Sequence, residues 1–192
     1  VHAAEILPSE YPALEGKIRI HVVDSTTYSY VIAMPVAMGM ERLKKGEAPA
    51  DVAAWMQEWY RHSITLVGLY NLQYAKKSGR LNACAALVGD ALGIKPVLHV
   101  DNEGHLVNVS KARGRQASIR ALADHYGETA LDKTGGTVFI SNGDCIEDAE
   151  TLRDILAEEY GAKVELITDV GPVIGAHSGP GTLALFFVGS AR

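Results

Sequence analysis

The chain has 192 residues, of which 47% are hydrophobic and 21% are charged, and its formal net charge is −5. These values are typical of a folded globular protein with one or two small domains. A net negative charge suits the phosphate backbone of a nucleic acid poorly, so we expect no nucleic-acid partner. No apolar run approaches the ~20 residues of a membrane span, and no pattern indicates export. We expect a cytoplasmic protein with at most transient membrane contact.

The first elements are predicted as a strand followed by two helices. Residues 18–23 are rich in β-branched side chains and predict a strand. Asp24 and Ser25 are expected to end this strand and to cap a helix over residues 31–45. Pro49 opens a second helix, in which five apolar residues recur at helical spacing: Val52, Trp55, Met56, Trp59 and Tyr60. We expect this apolar face to be core.

Residues 64–69 form a short apolar run that predicts a strand, and the boundary between two domains is placed there. The domains are expected over residues 1–62 and 63–192. After this strand, the second domain should contain a helix over 71–77, a helix over 83–92, and a hairpin of strands over 95–100 and 106–109. A longer helix is expected over residues 114–125, with Ile119, Leu122 and Ala123 facing inward.

The last third of the chain alternates between strand and helix patterns. Its elements are a strand over 138–141, a helix over 149–160, a strand over 163–168 and a final strand over 182–188. Such alternation is typical of βαβ units. The sequence therefore predicts an α/β fold with helices packed on one sheet.

The segment over residues 171–182 contains four glycines, two prolines and His177 between apolar stretches. The backbone is expected to form a loop that turns tightly around His177 and Ser178. A loop histidine beside a serine could donate a hydrogen bond to an anion, act as a catalytic base, or be a surface turn residue. Residue types alone leave these three roles open.

Five segments, in this order, resemble the DegV family of bacterial fatty-acid-binding proteins. They are Val23-Asp24-Ser25, residues 76–98, residues 111–115 before a helix, the glycine-rich residues 171–182, and residues 185–189. The resemblance implies a DegV-like two-domain α/β fold, in which the C-terminal domain packs helices on a mixed sheet. The family's usual N-terminal third has no match here. We therefore expect a truncated first domain, with residue 1 inside one of its helices.

The resemblance also implies a function. It suggests a carrier that holds a long-chain fatty acid in an apolar tunnel, without a cofactor or a metal. The matching histidine of the family lies near the fatty-acid carboxylate, so the head-group residues expected here are His177, Gly175, Ser178, Gly179 and Thr182. A carboxylate that loses its hydration needs such donors. The family's Ser-Gly-Thr loop, which also contacts the carboxylate, has no match, so we expect weak binding or none.

The acyl chain sets a different requirement. Each buried methylene contributes roughly 0.8 kcal/mol, so a chain of ~16 carbons gains on the order of 12 kcal/mol from a long apolar tunnel. The candidate lining residues are Leu87, Val88, Leu92, Ile94, Val97, Ile174, Leu183, Leu185 and Phe187. Ordinary core packing is the alternative for each of them.

Arg113 and Arg115 stand at the start of a predicted helix, where cations oppose the helix dipole. They are candidates for docking an acidic or phosphorylated partner, and a solvated surface is the alternative. The resemblance implies that Arg113 docks a fatty acid kinase, after which an acyltransferase collects the acyl phosphate. A further basic cluster could neutralise an anion or belong to a solvated loop: Lys76, Lys77 and Arg80.

An enzyme is the alternative class of function. It would be a hydrolase that pairs Ser178 or Ser25 with His177, or a phosphotransferase related to the dihydroxyacetone kinases. The sequence contains no G-x-S-x-G elbow and no glycine-rich nucleotide loop, and a serine directly after a histidine is poorly spaced for a nucleophile–base pair. Cys84 and Cys145, 61 positions apart, indicate neither metal nor redox chemistry. A third interpretation is a structural domain that only docks partners through the Arg113–Arg115 surface.

Overall fold

The computed structural model describes residues 6–7, 10–14, 16–79 and 93–190. The chain divides into two compact units, Val1–Arg61 and His62–Arg192. The described part of the first unit contains a short 3₁₀ helix and two α-helices. Their bounds are Pro12–Leu14 for the 3₁₀ helix, Tyr30–Lys44 for α1 and Pro49–Tyr60 for α2.

Helices α1 and α2 pack against each other along one face of each. The buried residues of α1 recur every four positions: Val31, Pro35 and Gly39. On α2, Val52 and Tyr60 are buried, and the hydroxyl of Tyr60 donates a hydrogen bond to the carbonyl of Ile32 at 3.1 Å. The predicted core face of α2 is confirmed for these two residues, and its other three members are half-buried.

Residues 18–23 form no strand, so this prediction is wrong. The alternating apolar residues Ile18, Ile20 and Val22 are exposed, and among the described residues no strand pairs with them. A strand needs a neighbour that receives its backbone hydrogen bonds. β-branched composition supplies the local preference for extended backbone, but it does not supply that neighbour.

The sequence predicts that Asp24 and Ser25 cap α1, and this prediction is wrong. The two residues instead shape a turn before the helix. The N-cap residue is Ser29. The Oδ1 atom of Asp24 instead accepts a hydrogen bond from the N–H of Thr26 at 3.0 Å, which is an Asx turn. The side chain of Gln57 exchanges two hydrogen bonds with the backbone of Asp24, at 3.0 and 2.8 Å, and this ties the turn to α2.

The second unit is a sheet with helices on both faces. Its elements in chain order are β1 Ser63–Gly68, α3 Leu72–Lys77, β2 Ile94–Val100, β3 Leu106–Arg113, α4 Arg115–Thr129, β4 Thr137–Asn142, α5 Ile146–Tyr160, β5 Lys163–Asp169, α6 Pro172–Ser178 and β6 Leu183–Val188. The strand order is β3-β2-β1-β6-β4-β5. Strands β4 and β5 pair in parallel, and the other described neighbours pair antiparallel. The α/β class and the mixed sheet are therefore confirmed.

The predicted elements of this unit agree with the observed ones apart from their ends. Strand β3 continues to Arg113 instead of ending at residue 109, and α4 continues to Thr129 instead of residue 125. Helix α5 begins at Ile146, before the predicted start at residue 149. The helix predicted over residues 83–92 lies outside the described residues.

Two side chains show how local sequence sets the ends of these elements. The Oδ1 atom of Asn71 accepts a hydrogen bond from the N–H of Gln73 at 2.9 Å and caps α3. The Oδ1 atom of Asp101 accepts from the N–H groups of Glu103 at 3.0 Å and His105 at 2.8 Å, which closes the turn between β2 and β3. The predicted hairpin is confirmed.

The first face of the sheet packs against α4 and α5 and forms the main core. As predicted, α4 buries Ile119, Leu122 and Ala123. The rings of Tyr126 and Phe187 meet edge to face with their centres 4.9 Å apart. The strand residues of this core are Ile64, Leu66, Val97, Val138, Ile140, Leu183, Leu185 and Phe187.

The second face carries a smaller apolar cluster beneath α3, and α6 lies beside α3. The cluster consists of Leu69, Ala75 and Leu98, with Val67, Leu72 and Leu106 packed on it. Side chains alternate along a strand, so β6 sends Leu183, Leu185 and Phe187 to the first face. The intervening Ala184 and Phe186 belong to the second face and are also buried.

Candidate functional site

His177 lies in a short helix and not in the loop that the sequence predicts. Residues Pro172–Ser178 form α6, and His177 is in its last turn. Pro172 stands at the first helical position, where its fixed φ favours a helix and its missing N–H costs no hydrogen bond. The Ser178 hydroxyl donates to the carbonyl of Ile174 at 3.0 Å. The flanking glycines mark the ends of this helix, and Gly175 lies within it.

The turn after α6 requires its two glycines. Gly179 and Gly181 have φ angles of 77° and 78°, in the left-handed region that glycine adopts without strain. A side chain at Gly179 would overlap the ring of Tyr74, and a Cβ at Gly181 would lie 2.6 Å from the Cβ of Tyr70. The hydroxyl of Thr182 donates to the Gly179 carbonyl at 2.7 Å and closes the turn. Gly179 and Thr182 therefore shape the turn that follows His177.

The loop after β4 holds this turn in place. The N–H of Gly181 donates to the carbonyl of Gly143 at 2.6 Å, and the N–H of Gly143 donates to the carbonyl of Thr182 at 2.8 Å. The buried Asn142 side chain donates to a β5 carbonyl at 3.1 Å and accepts from the N–H of Cys145 at 3.0 Å. The two loops therefore form one hydrogen-bonded unit.

Arg115 connects these two hydrogen-bonded loops to α4 and α5. Its Nη1 donates to the carbonyl of Gly181 at 2.6 Å, and its Nε donates to the Oδ2 atom of Asp148 at 2.8 Å. The guanidinium carbon also lies 5.4 Å from the ring centre of Tyr70, and the Arg115 side chain is only 17% exposed. A guanidinium engaged in this way has little left for a partner, so the expectation that Arg115 docks a partner is corrected.

Arg113, in contrast, is exposed at the end of β3. It pairs with Ile94 of β2. Strand β1 pairs Gly68 with both Val97 of β2 and Leu183 of β6, so the start of β2 and the start of β6 lie at the same end of the sheet. The structure therefore brings Arg113 and the turn after α6 to one end of the sheet.

The imidazole of His177 has a buried nitrogen suited to a ligand. Its Nδ1 is buried, and within the described part of the chain no group forms a hydrogen bond with it. A buried polar atom without a partner is unfavourable, so the site suits a ligand that supplies one. With its proton on Nδ1, His177 can donate to a carboxylate oxygen.

A groove of about 520 Å³ lies at the start of α5. Its lining residues are Asn142, Asp144, Cys145, Ile146, Glu147, Asp148 and Asp169. The carboxylates of this groove repel a further carboxylate, so it is a poor site for an anionic head group. Burial raises the pKa of the Cys145 thiol, and the thiol donates to the carbonyl of Thr182 at 3.3 Å. A protonated thiol of this kind is a poor nucleophile.

The predicted tunnel residues that the structure describes do not share one surface. Val97, Leu183, Leu185 and Phe187 belong to the core on the first face. Ile174 is exposed on α6, and Ile94 is half-buried. The remaining three, Leu87, Val88 and Leu92, lie outside the described residues, as do Arg80 and Cys84.

Sequence reasoning missed the residues that hold the site together. Asp148, Tyr70 and Lys95 are examples: the Nζ of Lys95 donates to the carbonyl of Tyr70 at 2.6 Å and lies 4.1 Å from its ring centre. Strand alternation would have identified Ala184 and Phe186 as second-face residues.

Of the basic cluster named from the sequence, Lys76 and Lys77 end α3 and are exposed.

Two further properties concern the described ranges alone. Within them, no three side chains of His, Cys, Asp or Glu form a group that could hold a metal ion. In the same ranges, no helix combines the length and the apolar character that a membrane span requires.

These features define a class of protein: an α/β protein with a mixed sheet, a closed core on one face, and a helix-borne histidine beside the other. The family model described as "Uncharacterised protein, DegV family" matches residues 1–190. The chain belongs to the DegV family. A DegV domain-containing protein of Clostridium perfringens is 34% identical to it over 190 residues, which are 99% of this chain and 64% of that protein.

Two solved structures are similar to the chain. A DegV family protein from Thermus thermophilus, described for its fatty acid binding, is 25% identical with a TM-score of 0.79, over 96% of this chain and 66% of that one. The fatty acid kinase (Fak) B3 protein of Streptococcus pneumoniae, solved with linoleic acid, is 20% identical with a TM-score of 0.81, over 97% of this chain and 66% of that one. The latter likeness shows the fold. The chain thus spans about two thirds of the length of these proteins.

Proposed function

We propose that the protein is a carrier for a long-chain fatty acid, with the acyl chain held along the second face of the sheet and the carboxylate at His177. The observation that carries this proposal is the buried Nδ1 of His177, which has no hydrogen-bond partner among the described residues. A carboxylate leaving water needs donors to replace its hydration, and a buried imidazole N–H is one. The fatty acid binding described for the Thermus thermophilus relative supports this assignment.

The second face carries apolar side chains that we propose the acyl chain contacts; Leu98, Ala184 and Phe186 are buried and Val67 is half-buried. Leu98, Val67 and Ala184 stand side by side on β2, β1 and β6 because the strand registers align them. Phe186 lies one position further along this face of β6. Every methylene that such a surface removes from water contributes roughly 0.8 kcal/mol. We place the acyl chain here because the first face is filled by α4 and α5.

The proposal includes presentation of the bound acid to a kinase. A fatty acid kinase would dock at the exposed Arg113, phosphorylate the carboxylate, and leave an acyl phosphate for an acyltransferase to collect. The position of Arg113 at the same end of the sheet as the turn after His177 supports this, and so does the name of the Streptococcus pneumoniae relative. The scheme requires a cytoplasmic carrier whose contact with membranes is at most transient.

The carrier itself would catalyse no reaction. A hydrolase would need a serine hydroxyl that donates to a histidine nitrogen. The Ser178 hydroxyl instead donates to the carbonyl of Ile174. We also propose that the two units correspond to domains over residues 1–62 and 63–192, with the site described here in the second.

The first test is native mass spectrometry of the purified chain, followed by denaturing extraction and lipid identification on the same sample. The carrier function predicts bound fatty acid, at about one per chain if the apolar side chains and His177 suffice, and at less if the missing Ser-Gly-Thr loop weakens binding as the sequence suggests. The variant His177→Ala should carry less, and His105→Ala is the matched control because His105 is exposed in the β2–β3 turn.

Two results would count against this proposal. One is a wild-type chain that is free of lipid and takes up no added fatty acid. The other is a His177→Ala variant that retains as much fatty acid as His105→Ala. For the kinase step, Arg113→Glu should reduce acyl phosphate formation and leave fatty-acid binding unchanged. Lys163→Glu, at the opposite end of the sheet, should leave both unchanged.

A further inference from the structure

We infer that the hydroxyl of Ser141 is a second hydrogen-bond donor to the ligand's carboxylate, an inference that rests on the proposed function. Ser141 lies in β4 and is only 3% exposed. Within the described part of the chain its Oγ has no hydrogen-bond partner. A buried hydroxyl is normally paired, so this one indicates an acceptor that arrives with a ligand.

Strand alternation shows which face carries this hydroxyl. Val138 and Ile140 belong to the core on the first face, so Ser141 faces the second. Ser141 pairs with Ala184 on the neighbouring strand β6, and Ala184 pairs in turn with Val67 on β1. Ser141 therefore continues the row of apolar side chains on which the acyl chain is placed, and it adds one polar group at the end of that row.

The end of α6 lies over the same face. Gly143 follows Ser141 by two positions, and a Cβ built on Gly143 would lie 3.1 Å from the carbonyl oxygen of Gly179. The N–H of Gly143 donates to the carbonyl of Thr182 at 2.8 Å, so the pairing of β4 with β6 continues to this residue. Alternate positions of a strand point to the same side, so α6 ends above the face that carries Ser141. His177 is in the last turn of this helix.

The two buried atoms are complementary to a carboxylate. The Ser141 hydroxyl and the Nδ1 of His177 are both buried, and both lack a partner among the described residues. The strand pairing of Ser141 and the close approach of Gly143 to Gly179 bring Ser141 and the end of α6 to the same part of the second face. A carboxylate has two oxygens that only accept, whereas a serine hydroxyl and a protonated ring nitrogen both donate. Such charge-assisted hydrogen bonds are stronger than neutral ones. A primary alcohol offers a single neutral oxygen and should gain less.

The test compares two probes, a long-chain fatty acid and the primary alcohol of the same chain length, by isothermal titration calorimetry on the full chain. We expect Ser141→Ala to weaken binding of the acid roughly tenfold and binding of the alcohol much less. Ser63→Ala is the matched control, because Ser63 is a buried serine on the same face. It pairs with Val188 at the end of β6, whereas Ser141 pairs with Ala184 near the start of that strand. This control variant should leave both affinities unchanged. Ser141→Cys replaces the hydroxyl by a slightly larger group that donates only weakly, so its affinity for the acid should fall between those of wild type and Ser141→Ala.

A thermal melt of the ligand-free variants separates binding from folding. Removing an unpartnered hydroxyl should leave the Tm of Ser141→Ala unchanged or higher. The inference is overturned if the variant fails to fold, if acid and alcohol lose affinity equally, or if the acid binds as well as to wild type. These results leave the proposed function standing when the wild-type chain binds the acid. A wild-type chain that binds neither probe overturns both.

Discussion

The two faces of the sheet are built from the same strands but differ in how their polar groups are paired. On the first face, the hydroxyl of the buried Tyr126 donates to the carbonyls of Asp132 and Lys133, both at 3.2 Å. On the second face, the buried hydroxyl of Ser141 has no partner among the described residues, and neither has the buried Nδ1 of His177, whose helix ends over this face. Unpaired buried atoms lower stability, so the Ser141 hydroxyl and the His177 Nδ1 are better suited to binding a ligand than to stabilising the fold.

The largest expected effect comes from Phe187, which points to the first face and contacts Tyr126. Phe187→Ala should lower the free energy of unfolding by about 3–5 kcal/mol, because it leaves a cavity in the core. Urea denaturation followed by circular dichroism measures this. Below the unfolding transition, the variant should bind fatty acid as wild type does.

The adjacent Phe186 is the matched partner of this experiment, since it is equally buried but points to the second face. Phe186→Ala should also lower stability, and in addition it should weaken fatty-acid binding. Equal affinities for the two variants would show that the acyl chain does not lie along the second face.

The next effect concerns Gly181, in the turn after α6. Gly181→Ala should lower the free energy of unfolding by about 2–4 kcal/mol. The new side chain would strain the left-handed backbone, and its Cβ would lie only 2.6 Å from the Cβ of Tyr70. Gly93→Ala is the control, since Gly93 has a φ of 92° and no atom of the described residues lies within 4 Å of an added Cβ. It should cost about 1–2 kcal/mol. Equal losses would mean that the turn is not packed against Tyr70.

Arg115 lies at the start of a first-face helix and holds the turn of a second-face helix. Arg115→Met should lower stability by about 1–3 kcal/mol, a discounted value because Asp148 is partly exposed. Fatty-acid affinity should also fall, since the turn after His177 loses its support. Arg120→Met removes exposed ion pairs to Glu159 and Asp124 and is the control. If Arg115→Met changed stability but not affinity, the turn would be independent of the site.

The sequence predicted the main elements because their signals are local. One apolar stripe identified the inward side of α4, and turn residues located the hairpin. The hydrogen bonds of Arg115 were missed because its partners are distant in the chain: Asp148 is 33 positions away and Gly181 is 66 away. No periodicity or composition reports such pairings.

The site around His177 was predicted in part, for a different reason. Glycine and proline are frequent both in loops and at the ends of short helices, so residues 171–182 did not distinguish the two. Apolar residues of β6 were recognised, but the strand pattern alone does not tell which face packs against α4 and α5. The residues chosen as tunnel lining on β6 proved to be the alternating set that forms the core.

The smallest expected effect is a pH dependence of the first face, through His125 on α4. Burial lowers the pKa of His125 below its ordinary 6.5, partly opposed by Glu128. The unfolded chain therefore takes up this proton at a higher pH than the folded chain. Stability is complete above pH 6.5 and declines as the pH falls through the unfolded value toward the folded one. His125→Gln should flatten this decline, measured by urea denaturation between about pH 8 and about pH 5.5. Identical slopes for variant and wild type would contradict it. Because His125 is remote from the second face in this assignment, the variant should keep its fatty-acid affinity, and a loss would mean that the two faces are coupled.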